Sequence, residues 1–212
     1  MKRESAVALS IATAALSLLI AQFASAQAAP GGDTSSVAMQ QAMQMVPAQA
    51  SLSQPIDARK VNPGDQVKAT LTEKIQLKNG TDLPSGTQLT GQITVDQIQN
   101  DGTFSLALAF TNAELKNGKV IPIKATIMKV FVLGCRLNYH PLGFDIANAY
   151  PITKYWTGRN LQVDQHNALD GVDLQSRIAD SNSGNFVSKK KDEIRLSTET
   201  VLEFAIAAQG NN

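Results

Sequence analysis

The sequence predicts an all-β domain, an antiparallel β-sandwich or barrel, from two observations. Between Val67 and Ile206 apolar residues recur at every second position within successive short runs, the period of a strand that buries one face. Asn-Gly, Asp-Gly and Pro-Gly pairs separate those runs, and such pairs supply the turns of antiparallel hairpins.

In chain order, the first segment reads as a leader. Lys2 and Arg3 form a basic start, Ala6 to Ala21 is an apolar run, and Ala24-Ser25-Ala26 offers small residues to a signal peptidase. That layout predicts a signal peptide over residues 1–26, cleaved before Gln27, and so an exported protein, periplasmic or extracellular. The apolar run of about 16 residues is short of the ~20 that span a bilayer, which disfavours an uncleaved anchor. No transmembrane segment is therefore expected after cleavage. No cysteine directly follows the run, so a lipid anchor is not expected either.

Residues 27–56 are Gln, Ala, Ser, Gly and Pro with few charges, and read as a flexible low-complexity linker. Residues 38–45 within it could form a short helix. Met39 and Met43 stand four apart there, a spacing that soft thioethers could use for Cu(I), although low complexity is the better explanation of the run.

Residues 57–209 read as a single β domain. Asn62-Pro63-Gly64-Asp65 is a type II turn by composition. Val67, Ala69, Leu71, Ile75 and Leu77 then alternate with Lys68, Thr70, Thr72, Lys74 and Gln76. Pro84-Ser85-Gly86 turns the chain into Leu89, Gly91, Ile93 and Val95, and Asn100-Asp101-Gly102 turns it into Phe104, Leu106, Leu108 and Phe110. Asn117-Gly118 leads to Ile121, Ile123, Ala125 and Ile127. After an irregular stretch the style returns with Val172 and Leu174, Phe186-Val187, Ile194 and Leu196, then Leu202, Phe204 and Ile206.

One octapeptide is written twice: LKNGTDLP at 77–84 and LKNGKVIP at 115–122. Asn and Gly tolerate positive φ, which a tight type I′ hairpin demands at both central positions. The lysine suits the solvent side, the aliphatic residue re-enters the core, and the proline suits a strand interruption because it lacks an N–H. None of these residues supplies a nucleophile, an acid or a metal ligand. The repeat therefore predicts two hairpins of one construction rather than a site.

These turn residues also carry a resemblance. Gly64-Asp65, Asn79-Gly80, Leu83-Pro84-Ser85-Gly86-Thr87, Leu89, Gly91 and Asn117-Gly118 resemble the framework of the periplasmic β-barrel domains of type IV secretion core-complex proteins (the conjugal-transfer TrbI-like family), over about residues 57–130. The resemblance implies a β-barrel within an envelope-spanning oligomer that has an N-terminal membrane anchor and a proline-rich linker. This chain differs in its cleavable-type leader and short linker. It is also similar to exported bacterial all-β proteins that share the Gly-Thr, Leu-Pro, Gly and Leu-x-Gly arrangement.

Charge and cysteine content narrow the function. Removing Lys2, Arg3 and Glu4 with the leader leaves 17 basic and 17 acidic residues of the original 19 and 18. A chain that grips nucleic acid needs a basic excess to displace counterions, so no nucleic-acid partner is expected. Lys189-Lys190-Lys191 is followed at once by Asp192-Glu193 and reads as a solvated strand end. One cysteine permits no internal disulfide, so folding must rest on an apolar core.

Residues 133–170 read as an irregular, aromatic-rich loop and hold most of the unusual side chains. Cys135 with His140 or His166 could form a cysteine nucleophile, but familiar flanking signatures are missing and a buried inert thiol fits better. Asp164, His166, Asp170 and Asp173 could bind a cation, though their spacing matches neither an EF-hand nor HExxH. Tyr139, His140, Tyr155, Trp156, Arg159 and His166 form a candidate binding surface, because such residues are enriched where proteins meet partners; packing over a sheet competes with that reading. The expectation is an exported, non-catalytic domain with no catalytic residue, no cofactor and no metal, doing structural or binding work in the cell envelope with envelope proteins or glycans as partners. The alternative is a glycan or metal binder, or a hydrolytic enzyme, that uses the 133–170 loop.

Overall fold

The computed structural model describes residues 40–132 and 162–209. The expected signal peptide, Met39, and the 133–161 part of the expected loop lie outside the described residues. The strands are β1 (Val46–Leu52), β2 (Ile56–Asp57), β3 (Gln66–Leu71), β4 (Ile75–Gln76), β5 (Asp82–Leu83), β6 (Gln88–Ile98) and β7 (Phe104–Glu114). They continue with β8 (Val120–Val132), β9 (Gln162–Leu169), β10 (Val172–Arg177), β11 (Gly184–Ser188), β12 (Arg195–Leu196) and β13 (Thr200–Ala208).

Six of them close a ring. Hydrogen-bonded neighbours run β6-β3-β1-β13-β8-β7, and β6 also pairs with β7, so the sheet returns on itself as an antiparallel barrel. The expected all-β class is thus a barrel. From β7 the sheet continues through β11 and β10 to β9, and two short pairs, β2 with β12 and β4 with β5, stand apart.

Alternation drives the closure. Leu89 and Ile93, Leu106, Leu108 and Phe110, Ile123, Ala125 and Ile127, and Leu202, Phe204 and Ile206 all sit in one buried cluster. Phe110 and Phe204 meet edge to face, with centroids 5.2 Å apart and planes at 79°. Closing a narrow ring also needs curvature, and register shifts supply it: at Thr90/Gly91 and Ile93/Val95 between β6 and β7, and at Glu203/Phe204 between β8 and β13. Each such bulge bends and further twists its strand. At Gly91 a Cβ would lie 2.0 Å from the Ala109 carbonyl oxygen, so only glycine permits that approach.

The linker expectation is corrected at its C-terminal end. Residues 46–52 form β1, which pairs with β13 on one side and β3 on the other. Its alanines misled the reading: an Ala-rich, uncharged stretch looks like low complexity, yet small residues are what this wall requires. Ala48 stands opposite Phe204 and Ala50 opposite Leu202, and both alanines are buried. Interiors of small barrels are filled by alternating small and large side chains. Just before β1, residues 40–44 are helical, within the expected 38–45. Ala42 and Met45 pack with Ile178 on Ala205 and Ala207, outside the barrel, while Met43 is exposed.

The repeated octapeptide does make two hairpin turns, but not of type I′. In the first, Gly80 N–H donates to Leu77 O at 2.9 Å and Leu77 N–H to Thr81 O at 2.8 Å; in the second, Gly118 N–H donates to Leu115 O at 2.9 Å and Leu115 N–H to Lys119 O at 2.9 Å. Only the glycines have positive φ, 85° and 81°. The asparagines act through their side chains, accepting from Thr81 N–H and Lys119 N–H at 3.0 Å each. This is the longer loop, a type I turn closed by a glycine bulge, which needs only one left-handed residue. Gln99–Thr103 repeats it with Asp101 and Gly102. Leu83 and Ile121 re-enter the core as expected.

Pro122 shows what its proline does. Pairing of β7 with β8 covers only Asn112–Glu114 and Val120–Pro122; beyond the proline β8 leaves β7, and β11 takes β7's edge at Phe104–Leu108. Ser183 fills the fork. Its N–H donates to Leu108 O at 2.7 Å, its carbonyl accepts from Ile127 N–H at 2.7 Å, and its Oγ accepts from Phe110 N–H at 2.8 Å.

Candidate functional site

Of the six residues expected to form a binding surface, Tyr139, His140, Tyr155, Trp156 and Arg159 lie outside the described residues, as does Cys135. His166 is described, and its setting differs from the expected loop: residues 162–169 are the strand β9, paired with β10. The unbroken polar run Asp164-Gln165-His166-Asn167 in the middle of Gln162–Leu169 hid the strand from an apolar-alternation reading.

His166 projects into solvent, its side chain 85% exposed, with Nδ1 3.3 Å from Asp173 Oδ2. Asp173 Oδ1 accepts from Asn167 N–H at 2.9 Å. That backbone bond, with a smaller contribution from His166, holds the Asp173 carboxyl below its usual range. Asn167 has φ 50°, and β9 shifts register against β10 here. Asp164 accepts instead from Gln162 Nε2 at 3.2 Å, and Asp170-Gly171 is a turn. Among the described residues no three His, Cys, Asp or Glu side chains gather closely enough to hold a metal; His166 and Asp173 meet as a pair.

The lysine run is anchored more firmly than expected. Lys191 opens a 3-10 turn, Lys191–Glu193, and its Nζ lies 2.7 Å from Asp96 Oδ2, whose side chain is only 9% exposed. Lys190 pairs with Glu193 at 3.5 Å. Glu193 also accepts from Ser188 Oγ, and that bond is the main cause that lowers its carboxyl below the ordinary range.

A cleft that sequence reasoning did not identify lies on the outer face of β6, β7, β11 and β10. Register builds it: Val95 pairs with Ala107, Ala107 with Asn185, and Asn185 with Gln175. Arg177 at the end of β10 and the segment that follows it, with Asp180 and Asn182, wall one side of a volume of about 190 Å³. Lys124 Nζ donates to the Asp180 carbonyl and holds that segment against β8; burial pushes the Lys124 ammonium below its usual pKa.

Two amides in the cleft are fixed. Ser105 Oγ donates to Asn185 Oδ1 at 2.6 Å, and Thr94 Oγ1 donates to Asn182 Oδ1 at 2.7 Å. Gln97 and Gln175 are exposed along the same face. The signal was present in the outward alternation Val95-Gln97-Gln99 and Gln175-Arg177, but only strand pairing shows that these rows are neighbours.

Among the described residues no helix is long and apolar enough to cross a membrane. No protein-family model matches the chain, and no curated protein matches it. Among solved structures, the chain is similar to ComB10 of the Com type IV secretion system of Helicobacter pylori, with 10% identity, 78% of this chain and 88% of that chain covered, and a TM-score of 0.36. At that distance the likeness transfers no residue role, partner or activity to this chain.

Proposed function

We propose that this chain is an exported, non-catalytic β-barrel domain that does structural or binding work in the bacterial cell envelope, in the periplasm or outside the cell. The observation that supports this reading is the filled barrel. Phe110 and Phe204 meet across its interior, and Leu71, Leu89, Ile93, Leu106 and Leu108 are fully buried around them. Such a barrel is a packed core, not a vessel, so ligands and partners must meet its outer surface. The Lys2–Ala26 layout supports export, and the balance of acidic and basic residues disfavours nucleic acid as the partner.

The test combines cell fractionation, N-terminal sequencing of the purified chain, and crosslinking in intact cells. The expected result is a chain beginning at Gln27, recovered outside the cytoplasm, with reproducible crosslinks to envelope proteins. A chain retained in the cytoplasm with residues 1–26 intact would overturn it. Substitution of Trp156 and His166 by Ala separates the roles. Loss of a hydrolytic activity with unchanged melting would replace the non-catalytic reading with an enzyme built on the 133–170 segment.

A further inference from the structure

We propose that the outer cleft between β6, β7, β11 and β10 binds an acidic sugar, a polyhydroxylated ring carrying a carboxylate. The proposal deepens the envelope-binding reading and rests on it for the setting in which such a glycan is met.

The donors are pre-arranged. With the Asn182 and Asn185 side-chain oxygens already accepting from Thr94 and Ser105, at 2.7 and 2.6 Å, each amide has its NH2 group left to offer a ligand. Two anchored amides therefore present donors to one cleft without a reorganisation cost on binding. Arg177 lines the same cleft, and its guanidinium is shaped for two parallel bonds to a carboxylate. Asp180 is the sole acidic lining residue, so the described lining offers more donors than anionic acceptors.

Hydroxyls complete the match. Gln97 and Gln175 each carry a free donor and a free acceptor, the pairing that ring hydroxyls require. Ala107 keeps the floor low between the longer side chains. An acidic peptide would meet Arg177 as well, but it offers the amide row few hydroxyls. The volume of about 190 Å³ is below the ~300 Å³ at which pockets for whole small molecules begin. The cleft therefore takes one ring of a chain and leaves the neighbouring rings in solvent.

Side-chain NMR of the purified chain tests this, using a galacturonate oligosaccharide, a neutral galactose oligosaccharide and poly-glutamate as probes. The expected result is a saturable shift of the Asn182 and Asn185 amide and Arg177 guanidinium signals with the galacturonate oligosaccharide. The neutral probe should bind about tenfold more weakly, as should Arg177→Gln with the acidic probe, the loss of one charge-assisted contact. Arg177 is exposed, so the variant keeps its melting temperature. No saturable shift, equal binding of the neutral probe, or equal or tighter binding of poly-glutamate would each overturn the proposal. Such a failure leaves the export reading untouched, because that is read from the chain's N-terminus and its crosslinks in cells.

Discussion

Gln165 serves Val130 as a neighbouring strand would. Its Oε1 accepts from Val130 N–H at 2.9 Å, and its Nε2 donates to Val130 C=O at 3.0 Å. One side-chain amide thus copies both hydrogen bonds of a peptide group where β8 has parted from β7, and it couples β9 to the barrel wall.

Gln165→Ala removes both bonds from a partly buried edge. Leaving buried polar groups unpaired costs about 1–3 kcal/mol, and Val130 is 1% exposed. Urea denaturation should show a lower midpoint with an unchanged slope, since the surface exposed on unfolding hardly changes. Stability equal to the parent chain would mean that water replaces the amide at no cost.

Ser183→Ala tests the fork. Its backbone bonds to Leu108 and Ile127 survive the change, while Phe110 N–H loses the Oγ that accepts from it at 2.8 Å. The Ser183 side is 1% exposed, so the orphaned donor should cost about 1–3 kcal/mol. Ser183→Thr retains the hydroxyl and should recover part of that loss if its extra methyl is accommodated. Both are read by thermal melting.

Gly91→Ala should be the most damaging of these substitutions. The added carbon would lie 2.0 Å from Ala109 O and 2.7 Å from Phe110 Cα, both backbone atoms of the paired strand. Overpacking costs ~1–3 kcal/mol, and more where neither side can yield. The expected outcome is an insoluble or strongly destabilised chain. Gly80→Ala is the control: it meets open space and pays only for its φ of 85°, about 1 kcal/mol.

Stability should fall on acidification. Asp57, Asp82, Asp101, Asp173 and Glu193 are all held below their ordinary pKa values by hydrogen bonds, from Arg59, Lys74, Thr103, Asn167 and Ser188 respectively as the largest cause. As pH falls through 4.5 for Glu and 3.8 for Asp, the unfolded chain takes up protons that the folded chain still refuses. Stability present above that range is therefore lost downward, until the depressed values are passed. Melting temperatures measured from pH 6 to pH 2 should decline most below pH 4.5. Asp173→Asn, read beside the parent, should flatten part of that slope, because the Asn167 N–H keeps an acceptor while the titrating group is gone.

The sequence by itself determined the local chemistry. Alternation in Phe104–Phe110 and Ile121–Ile127, and glycines at 64, 80, 102 and 118, dictate strands, faces and turns, because φ preferences and side-chain period act within a few residues. The all-β class was legible for that reason, with sandwich and barrel both open until β6 paired with β7. Tertiary structure decided what depends on which edge meets which. Ala48 and Ala50 look like linker until Phe204 and Leu202 stand opposite them. Gln162–Leu169 looks like loop until β10 pairs with it, and Asn185, Gln175 and Val95 are unrelated in the chain until register aligns them around Ala107. A small side chain or an amide has no fixed meaning in isolation; its burial and its partners are set by the strand across from it.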